Sequence, residues 1–244
     1  EGFFSSVSTA LKKAAKADRK FKPEHVVGIG IDTTGSTPIP VGKGGMPLAF
    51  DRKFKDNPNA YAWLWKDHTA YAEAEAITET AREMKLPYLD KCGGKHSSEW
   101  FWSKIWHCLK VDKRVFNAAY SWVELSDFVP AFITGNLDPL TMRRNICAAG
   151  HKAMFAAEWG GLPSKEFLGR LSPRLAELRD RLYEQAVPSD WPAGGLSPSV
   201  AEKVGLPSGL PVAVGALDCH HGAVGSGIKP GTLVKIIGTS TCDA

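Results

Sequence analysis

The chain lacks most of the features that mark whole classes of protein. Its 244 residues hold five cysteines, Cys92, Cys108, Cys147, Cys219 and Cys242, odd in number and with no CxxC pair. That spacing supports neither a zinc site nor a redox dithiol, so no metal ligands are assigned. The thiols read as reduced, mostly buried residues of a cytoplasmic protein. No apolar run approaches the roughly 18 residues of a membrane helix, and the opening residues lack the apolar core of a signal peptide; no membrane partner is expected. Thirty basic residues against 26 acidic ones leave +4, too small an excess to call for nucleic acid. Repeats and low-complexity tracts are missing. So is the P-loop pattern GxxxxGK[ST], because Gly44 follows Lys43 in "GKGG".

The hydrophobic share, 43%, and the charged share, 23%, suit a globular chain of one large or two modest domains. Val7, Leu11, Ala14 and Ala15 make one helical stripe that Asp18 ends, with basic residues on the solvated face. "HVVGIGID" reads as a buried strand, and "TPIPVGKGGMPLAFD" as two extended pieces around a glycine-rich turn. From Asp67, placed to cap, "DHTAYAEAEAITETAREM" is helical. "SSEWFWSKIWHCLKVD" and "KRVFNAAYSWVELSDFVPAFITGN" continue at helical spacing, and the second stops on its glycine. Trp100, Trp102, Trp106 and Trp122 fall among these apolar neighbours and read as core residues first and sugar-platform residues second, rather than as base-stacking ones. Ser197 and Pro198 open a short helix, "PVAVGAL" is a second buried strand, "HHGAVGSG" a small-residue helix, and "GTLVKIIGTST" a strand with a hydroxyl turn. Strands alternating with helical tracts give an α/β architecture.

Two of these strands end on a carboxylate followed by small or polar residues: Asp32 before "TTGST" and Asp218 before "CHHGAVGSG". Ligands of open α/β sheets sit beyond the carboxyl ends of strands. A carboxylate placed there suits a general base for a hydroxyl nucleophile; the plain alternative is that each Asp only caps the next helix. His220 and His221 beside Asp218 raise a metal alternative, but neighbouring helical residues point about 100° apart and do not converge easily on one ion. In "GTST", backbone amides and hydroxyls suit phosphate oxygens.

Six stretches in order, "VVGIGIDTTGSTPIPV", "WLWKDHTA", "SSEWFWSKI", "ICAAGHKAMF", "GALDCHHGAVGSG" and "KIIGTSTCDA", resemble the FGGY carbohydrate kinases. The resemblance implies a ribonuclease H-like, actin-like ATPase fold, a mixed sheet with flanking helices. It assigns residues 1–228 to the sugar-binding domain and 229–244 to the first strand and phosphate turn of the second domain. It implies ATP-dependent phosphorylation of a ketopentose at its terminal hydroxyl, with Mg2+ bridging phosphates. Asp218 matches the family's catalytic base and a substrate contact, and Lys152 a sugar-contacting lysine. Gly35 falls in the sugar loop with Thr34 and Ser36 beside it, and Gly238, Thr239, Ser240 and Thr241 match a phosphate loop.

L-ribulose is favoured as substrate. Xylulose-type relatives carry Gln-Met-His where Thr33, Thr34 and Gly35 stand here. Xylulose or another polyol, or sugar binding without turnover, are the rival expectations. Members are often dimers, so a homodimer is a partner expectation beside sugar and ATP. The family's first phosphate loop and its adenosine-binding half find no counterpart, and the chain reads as an internal piece that alone holds ATP hardly at all.

Overall fold

A computed structural model of the chain describes residues 2–238 and 241–243. Helix α1 (Gly2–Ala17) turns Phe4, Val7, Leu11 and Ala14 inward and its lysines outward. Asp18 ends it: its amide donates to Ala14, and its carboxylate accepts from the Lys20 amide at 2.8 Å. The stretch before Asp32, expected as a buried strand, is extended but paired along one side only. Ile29 donates to Pro211 and accepts from Ala213, while Val27 is 87% exposed. An apolar run becomes fully buried only when both flanks and both faces are covered, and here regular pairing narrows to β1 (Asp32–Thr33).

β2 (Pro38–Val41) leads into the glycine-rich turn, which closes where Gly42 donates to Met46 at 2.9 Å. α2 (Tyr71–Glu83) begins later than its pattern predicts. Asp67 does not cap it, because its carboxylate is taken by the amide and hydroxyl of Thr69. α3 (Phe101–Val111) and α4 (Lys113–Ala118) meet at Asp112, which caps α4 by accepting from the Val115 amide. The next tract, expected as continuous helix, is interrupted by β3 (Ser121–Glu124), antiparallel to β2 with Val41 opposite Ser121. Pairing with β2 buries all four residues of β3, which outweighs the helical spacing around them. α5 (Leu125–Thr134) closes on Gly135 in the left-handed conformation, the expected glycine stop.

α6 (Ile146–Ala153) is capped by Asn145, and α7 (Lys165–Leu171) and α8 (Pro173–Arg179) pack as a pair. β4 (Pro192–Gly195) precedes α9 (Pro198–Val204), which starts with Pro198 at its first position although Ser197 offers no side-chain cap. "PVAVGAL", expected as one strand, is split into β5 (Pro211–Ala213) and β6 (Ala216–Leu217). Gly215 lies so close to α5 that a Cβ there would sit 2.0 Å from the Ser126 carbonyl oxygen. α10 (Asp218–Gly225) follows at once, then a turn spanning the expected boundary at 228, then the hairpin of β7 (Lys235–Ile237) and β8 (Thr241–Asp243).

β1 runs parallel to β6, Asp32 opposite Ala216, while β4–β5 and β2–β3 are antiparallel. Both directions of a mixed sheet are therefore present, flanked by helices. Among the described residues regular pairing comes in two-stranded pieces; in β2–β3 and β4–β5, prolines at 38, 40, 192 and 211 remove ladder donors. The largest core gathers Trp63, Phe101, Trp102, Trp106, Phe116 and Trp122 with the leucines of α7 and α8. A second core joins Ile31 and Ile133 to α9, and α1 packs on its edge through Phe4 and Val7.

Candidate active site

The loop after β1 is held from beneath. Glu124, the last residue of β3, is buried and accepts from the Ser36 hydroxyl and, at 2.7 Å, from the Thr37 amide. Lys104 of α3 donates to the Ser36 carbonyl at 2.8 Å and to the Leu64 carbonyl at 2.6 Å. Burial pushes the Lys104 ammonium down to about 8 and the Glu124 carboxyl up, each toward its neutral form, while their mutual attraction opposes both shifts. The loop's upper side is left free. Its backbone passes so close to Leu217 that a Cβ at Gly35 would lie 2.1 Å from a Leu217 methyl carbon.

That free side faces a cavity of about 540 Å³. Its walls come from six separate segments of the sequence: Thr34 and Gly35; Trp65; the Ser97–Trp100 turn; His151 and Lys152 at the end of α6; the α10 start; and the β7–β8 hairpin. Asp218 is the first residue of α10, exposed to the cavity, and one carboxylate oxygen accepts from the Cys219 amide at 2.7 Å. Lys152 places its ammonium 5.5 Å from the centre of the Trp100 ring, and burial pushes its pKa down. The start of α6 is itself fixed: Asn145 accepts from the Ala148 amide and is bound to Asp127, which pairs with buried Arg144 at 3.5 Å.

Of the residues assigned from the sequence, Thr34, Gly35, Lys152, Asp218, Gly238 and Thr241 line this one cavity. Ser36 does not: its hydroxyl is turned inward to Glu124, so it supports the loop rather than facing the cavity. Thr239 and Ser240 lie outside the described residues. Asp32 is exposed but is not part of the wall. The cavity adds residues the sequence reading did not assign. Trp100, grouped with the core tryptophans, is only half-buried and forms wall, whereas Trp102, Trp106 and Trp122 are core as expected. Behind Trp100 stands His96, fully buried, its ring 5.1 Å away and edge-on. Burial pushes His96 down to about 3, so it packs there as a neutral ring. Trp65, Ser97, Glu99 and His151 are further additions, with Cys219, Cys242 and Asp243 at the rim; "WLWKDHTA", "SSEWFWSKI" and "ICAAGHKAMF" were the signals that pointed to the first four.

The arrangement sets a carboxylate, a partly desolvated lysine, an indole face and an open glycine-containing backbone around one polar space. Such a set suits a small polyhydroxy ligand: oxygens take donors from lysine and backbone, and aliphatic CH groups rest on the indole.

No family model matches the chain. It is 46% identical over 244 residues to a ribulokinase of Vibrio parahaemolyticus, covering 100% of this chain and 43% of that protein. To a ribulokinase of Halalkalibacterium halodurans it is 38% identical over 241 residues, 98% of this chain and 42% of that protein. The chain thus spans less than half the length of the curated relatives it matches. Among solved structures, a ligand-bound xylulose kinase from Lactobacillus acidophilus superposes with TM-score 0.71 at 14% identity, covering 98% of this chain and 44% of that one. A gluconate kinase from the same organism gives 0.69 at 14% identity, covering 98% and 43%. The fold is that of the sugar kinases, and the resemblance to the FGGY carbohydrate kinases holds in sequence along the whole chain, with ribulokinases as relatives.

Proposed function

We propose that this ribulokinase-like chain is the sugar-binding part of an ATP-dependent kinase that phosphorylates L-ribulose at its terminal hydroxyl. What supports the reading is one observation: six positions matched to the family's sugar, base and phosphate elements, spread from Thr34 to Thr241, line a single cavity. Asp218 is the general base. Its carboxylate orients the attacking hydroxyl and accepts its proton as the oxygen–phosphorus bond forms. Lys152 supplies donors to the sugar oxygens, and Trp100 and Trp65 offer the apolar face on which the carbon chain rests. Thr34 and Gly35 hold the sugar from the opposite side, Gly35 by letting the backbone approach closely. Gly238 and Thr241 flank the turn that receives phosphate.

Phosphoryl transfer asks little covalent chemistry of a protein beyond alignment and charge neutralisation. Magnesium would enter with the nucleotide and neutralise charge on its phosphates; both Asp243 oxygens on the cavity wall are paired with Lys235 and the Asp218 carboxylate serves as base, so no side chain is assigned to the ion. The comparison that tests the proposal is ADP release by the full-length protein with L-ribulose and with D-xylulose. L-ribulose should give the higher kcat/KM. Turnover of xylulose far above that of ribulose would overturn the substrate, and turnover of neither would overturn the activity.

A further inference from the structure

The cavity rim carries a second set of groups that phosphoryl transfer does not use. Cys219 and His220 stand on the first turn of α10, directly after Asp218, and Cys242 is the middle residue of β8. No sequence spacing announces them as a set, and Cys219 and His220 are helical neighbours of the kind that do not converge easily by themselves; it is Cys242, brought in by the hairpin, that completes a group in which one ligand atom of each lies within 4.8 Å of the other two. All three are half-buried. His220 is further steadied by His151, whose Nδ1 is 3.2 Å from His220 Nε2 and whose ring stacks on it at 5.3 Å and 17°.

Ligand atoms around a tetrahedral zinc ion, with bonds of about 2.3 Å to sulfur and about 2.0 Å to nitrogen, lie about 3.3–3.8 Å apart. The three groups therefore come to that spacing with small side-chain rotations. Two sulfurs and an imidazole select a thiophilic, borderline-soft cation over a hard one. A histidine ligand usually has its other ring nitrogen held by a fixed partner, and His151 stands in that place beside His220.

We propose that Cys219, His220 and Cys242 form a binding site for a thiophilic divalent cation of the zinc class, joining the start of α10 to the β7–β8 hairpin at the rim of the cavity. Three protein ligands leave a fourth position open, which is the pattern of an accessible rather than a purely structural site. The balance is simple coordination: each thiol gives up a proton to solvent as its sulfur binds the cation, and no oxidant is needed. A metal ion displaces that proton outright. The site stands apart from the kinase reading, because its test does not depend on turnover.

The test titrates the full chain, reduced and stripped with a chelator, with Co2+. One equivalent should produce a sulfur-to-cobalt charge-transfer absorption that Zn2+ then abolishes by displacement. Cys219→Ser and Cys242→Ser should each remove that band, while Cys92→Ser, elsewhere in the molecule, should keep it. Absence of the band at one equivalent, or its survival in both single variants, overturns the site. If a cysteine variant does not fold, the unaltered chain still decides: Zn2+ should raise its melting temperature, His220→Gln should reduce that rise, and no rise at all overturns the proposal.

Discussion

The Lys104 ammonium lies 2.8 Å from the carbonyl oxygen of Ser36, beneath the loop that forms one wall of the cavity. The same ammonium reaches Leu64 and faces the Glu124 carboxylate that holds the Ser36 hydroxyl and the Thr37 amide. Lys104→Met keeps most of the side-chain volume and deletes the charge. It leaves two carbonyls without a donor and Glu124 without its cation. Leaving a buried acceptor without its donor costs about 1–3 kcal/mol, so chemical denaturation should show a loss of a few kcal/mol. Because the loop loses its anchor, the KM for sugar should rise as well. Unchanged stability would mean that water replaces the ammonium without penalty.

The same lysine sets a pH dependence. Its folded pKa, about 8, lies below the ordinary lysine value of 10.5. Between those two values the unfolded chain binds more protons than the folded one, so stability from this group rises with pH across that window. Below about pH 8 both states are protonated and the cost of burying the charge is fully present; above about 10.5 both are neutral and it is gone. Denaturation followed from pH 8 to 10.5 should show this rise in the native chain and not in Lys104→Met. Equal slopes in the two proteins would place the titration elsewhere.

Gly35→Ala tests the close approach between the loop and Leu217. The new methyl would overlap a buried Leu217 methyl carbon, 2.1 Å away in the present arrangement. Since Leu217 directly precedes Asp218, relief displaces either the loop or the start of α10. Overpacking of this kind costs about 1–3 kcal/mol, and sugar KM should rise. Adding Leu217→Ala makes room and should restore part of the sugar affinity despite its own cavity cost. An alanine at 35 with wild-type kinetics would show that the loop does not need the contact.

What the sequence disclosed and what it hid divide along physical lines. The place on one cavity wall of the loop after Asp32, the α10 start at Asp218 and the lysine of α6 was legible because each combines small residues with one chemically capable group in a short window. The inward turn of Ser36 was not, because its partners Glu124 and Lys104 stand 88 and 68 positions away. β3 was hidden for a similar reason: helical tracts lie on both sides of it, and only pairing with β2 makes it a strand. The strand before Asp32 was overread, since an apolar run shows capacity for burial but not which edges are covered. Trp100 shares its spacing with the core tryptophans, and only the packing of His96 and Lys152 around it sets it apart. Cys219 and Cys242 meet through the β7–β8 hairpin, a relationship no local spacing carries.

Lys152→Met separates sugar binding from nucleotide binding. The methionine keeps an apolar stem against Trp100 and removes the donors. A hydrogen bond from a charged group contributes about 1.5–3 kcal/mol, or about 10- to 100-fold in affinity. The KM for sugar should rise by that factor while the KM for ATP stays nearly fixed. The reverse pattern would move Lys152 to the nucleotide side of the cavity.

Asp218→Asn distinguishes a general base from a helix cap, the two roles the sequence left open. The asparagine oxygen can still accept from the Cys219 amide, the bond that Asp218 makes at 2.7 Å. The start of α10 should therefore survive, and thermal melting should be close to that of the native chain. What asparagine cannot do is take a proton from a sugar hydroxyl. General-base catalysis contributes about 100- to 10,000-fold, so kcat of the full-length enzyme should fall within that range while the KM values change little. A kcat within about tenfold of wild type, roughly 1.4 kcal/mol of barrier, would leave Asp218 with the capping role alone. The proton would then have to leave through another group on the cavity wall, with Glu99 and Asp243 the remaining carboxylates to replace in turn.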